Sequence, residues 1–290
     1  MKWTTTIAIL LGVLAVGLLV MYLFRDTAET VIIPPDAEEI TSKRETIGLS
    51  VEGRKIEAYT YGVGETHLLF VGGIHGGYEW NSVALAYEAI DHFKTNPENI
   101  PEDITITIIP SANPDGVYKV IGKEGKITAQ DVPASVATEP GRFNANDVDL
   151  NRNFACKWQP ESTWRGTPVS AGTAAFSEPE AVAIRNFVDA NNITAAIFWH
   201  SQANTVYASE CEDGVLPETI DIMNAYADAA GYNKVATFDA YTVTGDAEGW
   251  LASIGIPAIT VELKTHETVE WEQNRKGIEA LFEYYTNQTQ

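Results

Sequence analysis

The period of the hydrophobic positions changes along the chain and divides it into three stretches. From Trp3 to Phe24 no residue is charged, and Ile7–Phe24 is almost wholly aliphatic. As a helix, a run of that length rises roughly 33 Å, enough to cross a hydrocarbon core of roughly 30 Å. Lys2 precedes the run, and Arg25 and Asp26 close it. A cleaved signal has a shorter apolar stretch and a small-x-small site, for which RDTAETVIIPP offers one candidate near Ala28. Residues 1–25 are therefore read as one N-terminal transmembrane helix, with a cleaved signal as the alternative. Either reading exports the rest of the chain: single-pass in the cell membrane if the segment stays, secreted if it is removed. One Lys before the span and one Arg after it do not set its orientation.

Residues 26–45 are polar, contain prolines and show no apolar period, so they read as a tether. Residues 46–290 then alternate strand and helix patterns. Ile56–Tyr61, His67–Gly72, Ile104–Ile109, Ala195–Trp199 and Pro257–Leu263 carry strand patterns, several of them continuous apolar runs. Asn81–Lys94, Glu178–Asn191, Pro217–Gly231 and Thr268–Tyr285 carry the helical period, the last with Trp271, Ile278, Leu281, Phe282 and Tyr285 on one stripe. Strands alternating with helices predict a three-layer α/β/α sandwich around a mixed, largely parallel central sheet. In such sheets chemistry collects at the carboxyl ends of the strands, and candidate residues are sought there.

Charge narrows the partners. With 19 Lys and Arg against 40 Asp and Glu the formal net charge is −21, which repels phosphate backbones and argues against a nucleic-acid partner. Two cysteines, Cys156 and Cys211, are too few for a disulfide scaffold and wrongly spaced for a zinc ribbon.

The loop after the second strand reads GGIHGGYEWN, placing His75 among glycines and Glu79 at a helix start. Imidazole and carboxylate are zinc donors, and the glycines let backbone crowd an ion. His200 ends the apolar strand AAIFWHSQ, so it projects from a strand end. Two His, one Glu and an open position form a catalytic zinc pattern. The other histidines, His67, His92 and His266, fall at a strand start, on a polar helix face and in a loop.

Between and after these come PSANPDG, RFNANDVDLNRNF, FSEPE, YTVTGD and PAITVEL, in that order. Together with the histidine strings they make the chain from about Gly72 to Leu263 resemble the zinc metallocarboxypeptidases of the carboxypeptidase A type. The resemblance implies Zn2+ as cofactor, held by His75, Glu79 and His200. The family spaces its first two ligands His-x-x-Glu, and the string here is one residue longer. It further implies Arg142 polarising the scissile carbonyl, Asn151 and Arg152 holding the substrate's terminal carboxylate, and Ser201 touching the substrate backbone. Tyr241 matches the tyrosine that closes over substrate, and Glu262 the general base that takes a proton from metal-activated water. Asn113 and Asp115 of NPDG are expected to shape a turn and brace the site.

In the resembled family the residue seven positions after the closing tyrosine lies at the floor of the side-chain pocket; here that is Glu248. A carboxylate there implies a preference for basic C-terminal residues or for the amine of diaminopimelate. The other reading has Glu248 decorating the short helix begun at Asp246. Cys156 and Cys211 fall in loops near one face of the sheet, as a disulfide suited to an exported protein or as buried thiols. The expected substrate is a peptide or a peptidoglycan-derived peptide. The alternatives are a cell-wall γ-D-glutamyl-diaminopimelate peptidase, a zinc deacylase of the aspartoacylase type, and a tethered binding module without catalysis.

Overall fold

The computed structural model describes residues 42–288, so the Trp3–Phe24 run and most of the proposed tether lie outside the described residues. Among the described residues no helix is long and apolar enough to cross a membrane.

Eight strands form one sheet in the order β1-β2-β4-β3-β7-β12-β8-β11. They are β1 (Ser42–Leu49), β2 (Lys55–Gly62), β3 (Thr66–Val71), β4 (Ile104–Ile109), β7 (Ala195–Ser201), β8 (Thr205–Ala208), β11 (Asn233–Val235) and β12 (Ala258–Leu263). The central four, β4-β3-β7-β12, run parallel, while β1 and β2 on one side and β8 on the other pair antiparallel. The sheet is therefore mixed and parallel at its centre. Every residue of β4 and β7 is buried, which is why these strands read as unbroken apolar runs. The small hairpins β5–β6 (Glu161–Trp164, Thr167–Ser170) and β9–β10 (Glu210–Cys211, Gly214–Val215) stand apart from the main sheet.

Helices cover both faces. On one face α1 (Trp80–Thr95), α4 (Pro217–Ala230) and α6 (Trp271–Gln288) pack on Leu68, Phe70, Ile197 and Trp199. On the other, α3 (Pro179–Ala190) and α5 (Ala247–Ser253) pack on Leu69, Val71, Ala196 and Phe198. Consecutive residues of β3 and β7 thus feed opposite cores, as the twofold period of a strand requires. Phe70 stacks on Trp199 at 5.4 Å across β3 and β7, and truncating either ring would cost about 3–5 kcal/mol. The remaining helix, α2 (Pro114–Ile121), begins at Pro114, with Asn113 as its cap accepting from the Gly116 N–H at 2.9 Å, and ends at Gly122 in the left-handed region.

The tether reaches less far than expected, because Ser42–Glu45 already belong to β1. This edge strand is exposed along much of its length, so it carries no apolar alternation to read. The closing helix begins at Trp271 rather than Thr268. Thr265 turns the chain first, accepting from the Glu267 and Thr268 N–H groups.

Candidate active site

Three neighbouring parallel strands deliver the site. His75 lies four residues past the end of β3, His200 near the end of β7, and Glu262 near the end of β12, directly opposite His200 in register. Glu79 closes a tight 3-10 turn, Gly76–Glu79, and leads into α1. That turn absorbs the extra residue between His75 and Glu79. Gly76 sits at φ +46°, and a Cβ there would come within 2.6 Å of the Gly141 carbonyl oxygen. Only glycine allows this approach.

His75, Glu79 and His200 are all buried. Glu79 Oε1 lies 2.9 Å from His75 Nδ1, Glu79 Oε2 lies 3.1 Å from His200 Nδ1, and the two Nδ1 atoms are 3.2 Å apart. Donor atoms about 2.0–2.1 Å from a tetrahedral zinc stand about 3.3 Å from one another. The two histidine nitrogens stand at that spacing, each has a Glu79 oxygen at a similar distance, and one donor atom from each of the three residues lies within 4.8 Å of the others. The far nitrogens face carboxylates: His75 Nε2 is 3.4 Å from Asp149 Oδ1, and His200 Nε2 is 3.0 Å from Glu248 Oε1. With protons held on the Nε2 atoms, a bound cation would take the place of any Nδ1 proton and meet both Nδ1 lone pairs. The donor set therefore fits a zinc ion.

The charges agree. Burial alone would raise Glu79, but the two histidines outweigh it and hold its carboxyl well below the usual range. His200 goes the other way: burial would lower it, yet Glu79 and Glu248 hold it well above an ordinary imidazole. Asp149, also buried, is kept low by Arg142, Arg152 and His75. Burial, with Glu79 beside it, pushes Glu262 up to about 7, and its Oε2 has no hydrogen-bond partner among the described residues. A carboxyl poised there is suited to exchanging protons near neutrality.

A cavity of about 480 Å³ opens beside the cluster and is lined by every site residue read from the sequence. Arg142 is clamped by Asp149, with Nε and Nη2 at 2.9 and 2.8 Å from Oδ2, and its guanidinium lies 4.5 Å from the Trp164 ring centroid. Arg152 is equally buried, but its hydrogen bonds go only to the backbone carbonyls of Asn151 and Thr163. Unlike Arg142 it makes no hydrogen bond to a carboxylate among the described residues; Asp149 and Asp246 act on its charge from a distance, and it lines the cavity with no carboxylate against its fork. The Ala247 N–H holds Asn151 Oδ1 at 2.9 Å, leaving the amide NH2 of Asn151 for the cavity. Tyr241 stands on the rim, edge-on to Phe238 at 4.9 Å.

Three expectations change. Ser201 lines the cavity, but its hydroxyl lies 2.9 Å from Asn81 Oδ1 and 2.8 Å from His266 Nδ1. The Asn81 amide NH2 donates to the Thr265 and Thr268 carbonyls, so Asn81 Oδ1 is free to accept from Ser201. The hydroxyl is thus committed to the protein rather than free for a substrate backbone. Glu248 neither points to solvent nor offers a free carboxylate at the pocket floor. It is 2% exposed, and Oε1 accepts from Thr260 Oγ1 at 3.0 Å as well as meeting His200. Asp115 turns away from the site, to Ser50, the Glu52 N–H and Arg54; only Asn113 braces it, donating to the Arg142 carbonyl at 3.3 Å. Cys156 and Cys211 are joined in a disulfide.

Four residues were not singled out from the sequence: Asp149, Asp246, Phe238 and His266. Asp149 had a signal, an acid two positions before Asn151 in an otherwise amide-rich string. Asp246 had one too, as the cap of a short helix, accepting from the Gly249 N–H at 2.7 Å. Nothing local marks His266 or Phe238.

The family described as zinc carboxypeptidase matches residues 36–289 of the chain. Gamma-D-glutamyl-L-diamino acid endopeptidase 1 of Lysinibacillus sphaericus is 24% identical over 239 residues, 75% of this chain and 59% of that protein. The carboxypeptidase N catalytic chain of Homo sapiens is 34% identical over 122 residues, 38% of this chain and 25% of that one. The chain thus spans between a quarter and three fifths of the length of these curated relatives. In fold it is similar to murein-tripeptide amidase MpaA from Escherichia coli O157, with TM-score 0.59 and 20% identity over 85% of this chain and 93% of that one. It is similar also to bovine thrombin-activatable fibrinolysis inhibitor, with TM-score 0.63 and 22% identity over 84% and 88% of the two chains. With all of the described residues inside the family match, and two histidines and a glutamate gathered where that family's metal would sit, the chain belongs to the zinc carboxypeptidase family.

Proposed function

We propose that this domain hydrolyses the peptide bond next to a free C-terminal carboxylate. The observation that carries the reading is Arg152, a buried guanidinium that, among the described residues, makes no hydrogen bond to a carboxylate and lines the cavity beside the His75–Glu79–His200 triangle. A buried cation calls for an anion, and a guanidinium fork with the Asn151 amide beside it suits a carboxylate.

Zn2+ held by His75, Glu79 and His200 would supply Lewis acidity and make water acidic near neutral pH. Arg152 and Asn151 anchor the terminal carboxylate, which sets the scissile bond at a fixed distance from the triangle. Arg142, its fork fixed by Asp149, presents its remaining edge to the carbonyl oxygen as charge develops there. Glu262 takes the proton from the attacking water and delivers it to the departing amine nitrogen. Tyr241, on the rim and with no side-chain hydrogen bond among the described residues to hold it, closes over the bound residue.

The pocket chemistry favours an amine on the substrate's last residue. Asp246 and Glu248 both border the cavity, and burial beside Glu248 pushes Asp246 up to about 6. With the Glu248 carboxylate engaged by His200 and Thr260, Asp246 is the acid an ammonium there would meet. Lysine- or arginine-terminated peptides and the diamino acid of peptidoglycan peptides both meet this need, the second in keeping with the names of the bacterial relatives. The apolar Trp3–Phe24 run and the disulfide both suit an exported domain, retained at the membrane by that run. A panel of blocked dipeptides ending in Lys, Phe and diaminopimelate, with N-acetyl amino acids alongside, tests the reading. Cleavage of only the N-acetyl amino acids would make the protein a deacylase.

A further inference from the structure

Glu248 stands where a pocket-floor acid was expected, yet its carboxylate is directed elsewhere. Oε1 lies 3.0 Å from His200 Nε2 and accepts from Thr260 Oγ1 at 3.0 Å, while Oε2 is buried without a hydrogen-bond partner among the described residues. Both partners of this contact are almost wholly inaccessible, His200 at 2% and Glu248 at 2% exposure. Glu248 enters from α5, whose first turn is pinned from below. Asp246 caps it through the Gly249 N–H, and the Ala247 N–H is held by Asn151. The backbone that aims Glu248 is thus fixed by the same residues that border the substrate cavity.

We propose that Glu248 is the positioning residue of His200. It holds the proton on Nε2, fixes the ring, and leaves the Nδ1 lone pair directed at the point shared with His75 and Glu79. A carboxylate behind a ligating imidazole fixes its tautomer and raises its basicity. His75 Nε2 has Asp149 nearby, but at 3.4 Å and without a hydrogen bond, so the Glu248–His200 contact is the tighter of the two. The consequence is that an acid beside the side-chain pocket is spent on the metal ligand, and loss of it weakens metal binding before it alters side-chain choice.

The inference rests on the zinc reading of the site, and its test does not need the substrate to be known. The rate of zinc release to a chromogenic chelator is measured for the full protein, for Glu248→Gln and for Glu248→Leu. Release should quicken by roughly 10- to 100-fold in Glu248→Leu, with Glu248→Gln between it and wild type, because an amide oxygen still accepts from Nε2. The visible absorption of the cobalt-substituted protein should shift in the same order. Glu248→Gln preserves volume and guards against a variant that fails to fold. Zinc release and cobalt spectra unchanged in both variants would overturn the proposal, as would a defect confined to hydrolysis of amine-bearing peptides. A wild type that binds no zinc at all would instead overturn the functional reading beneath it.

Discussion

Arg142 with Asp149 and Arg44 with Glu57 are the same chemical object, a guanidinium fork on a carboxylate, in two parts of the molecule. At the strand ends the pair is sealed in, with side chains 4% and 0% exposed. On the outer strand β1 the pair has the same contact length, 2.8 Å, but Arg44 is 62% exposed. Water screens the second pair, and such pairs contribute little. The first has lost its water, so its value lies in holding geometry: Asp149 orients both Arg142 and His75. In a chain of net charge −21, most acids serve solubility, and a few enclosed ones carry the chemistry.

The largest effect is expected at Glu262. Glu262→Gln should lower kcat by roughly 10²- to 10⁴-fold while zinc content, read by elemental analysis, stays near one per chain. Loss of zinc in that variant would make Glu262 a ligand instead. Next comes the buried fork. Asp149→Ala leaves the buried Arg142 without its clamp, with Glu79 Oε1 at 3.9 Å as the nearest remaining carboxylate, and should cost about 3–5 kcal/mol in denaturant unfolding. The exposed fork marks the other end: Glu57→Gln should change stability by less than about 1 kcal/mol, and by less still at high salt. A comparable loss at both sites would dissolve the contrast.

Titration separates the two kinds of buried acid. Asp149 sits below its ordinary value of 3.8, so its contribution is present above that pH and is lost as pH falls through the lower folded value. Glu262 is raised from 4.5 to about 7, so the folded state binds the proton more tightly and stability falls as pH rises through that window. In the metal-stripped protein Glu262→Gln should therefore flatten the stability profile between pH 4.5 and 7 and raise it above 7. In the zinc-loaded protein the cation lowers Glu262, and the acid limb of kcat/KM should fall at or below about pH 7.

What could be read from the sequence follows the same division. The long elements were legible because burial on one or two faces imposes a period, and β4 coincides with its apolar run from Ile104 to Ile109. Strand β1 escaped because its exposed side chains carry no period. The short hairpin β5–β6 escaped because a four-residue strand holds too few positions to show one. Site residues carried by strings near strand ends, such as His75, Arg152 and Glu262, could be named. The direction of a side chain could not: Glu248 and His200 are 48 residues apart, and only the packing of α5 on β12 brings them together. Asp115 failed for the reverse reason, since its turn was recognised but not the face it presents.

The central claim is a zinc-dependent attack on bonds beside a free C-terminal carboxylate bound by Arg152. Its most direct measurement compares hydrolysis of one peptide with a free and with an amidated C-terminus, before zinc removal, after it, and after zinc is restored. The account expects turnover of the free acid alone, abolished by removal and recovered near one zinc per chain, with Arg152→Met reducing the free-acid rate toward that of the amide. Turnover that survives full zinc removal, or equal cleavage of acid and amide by the wild type, would contradict it.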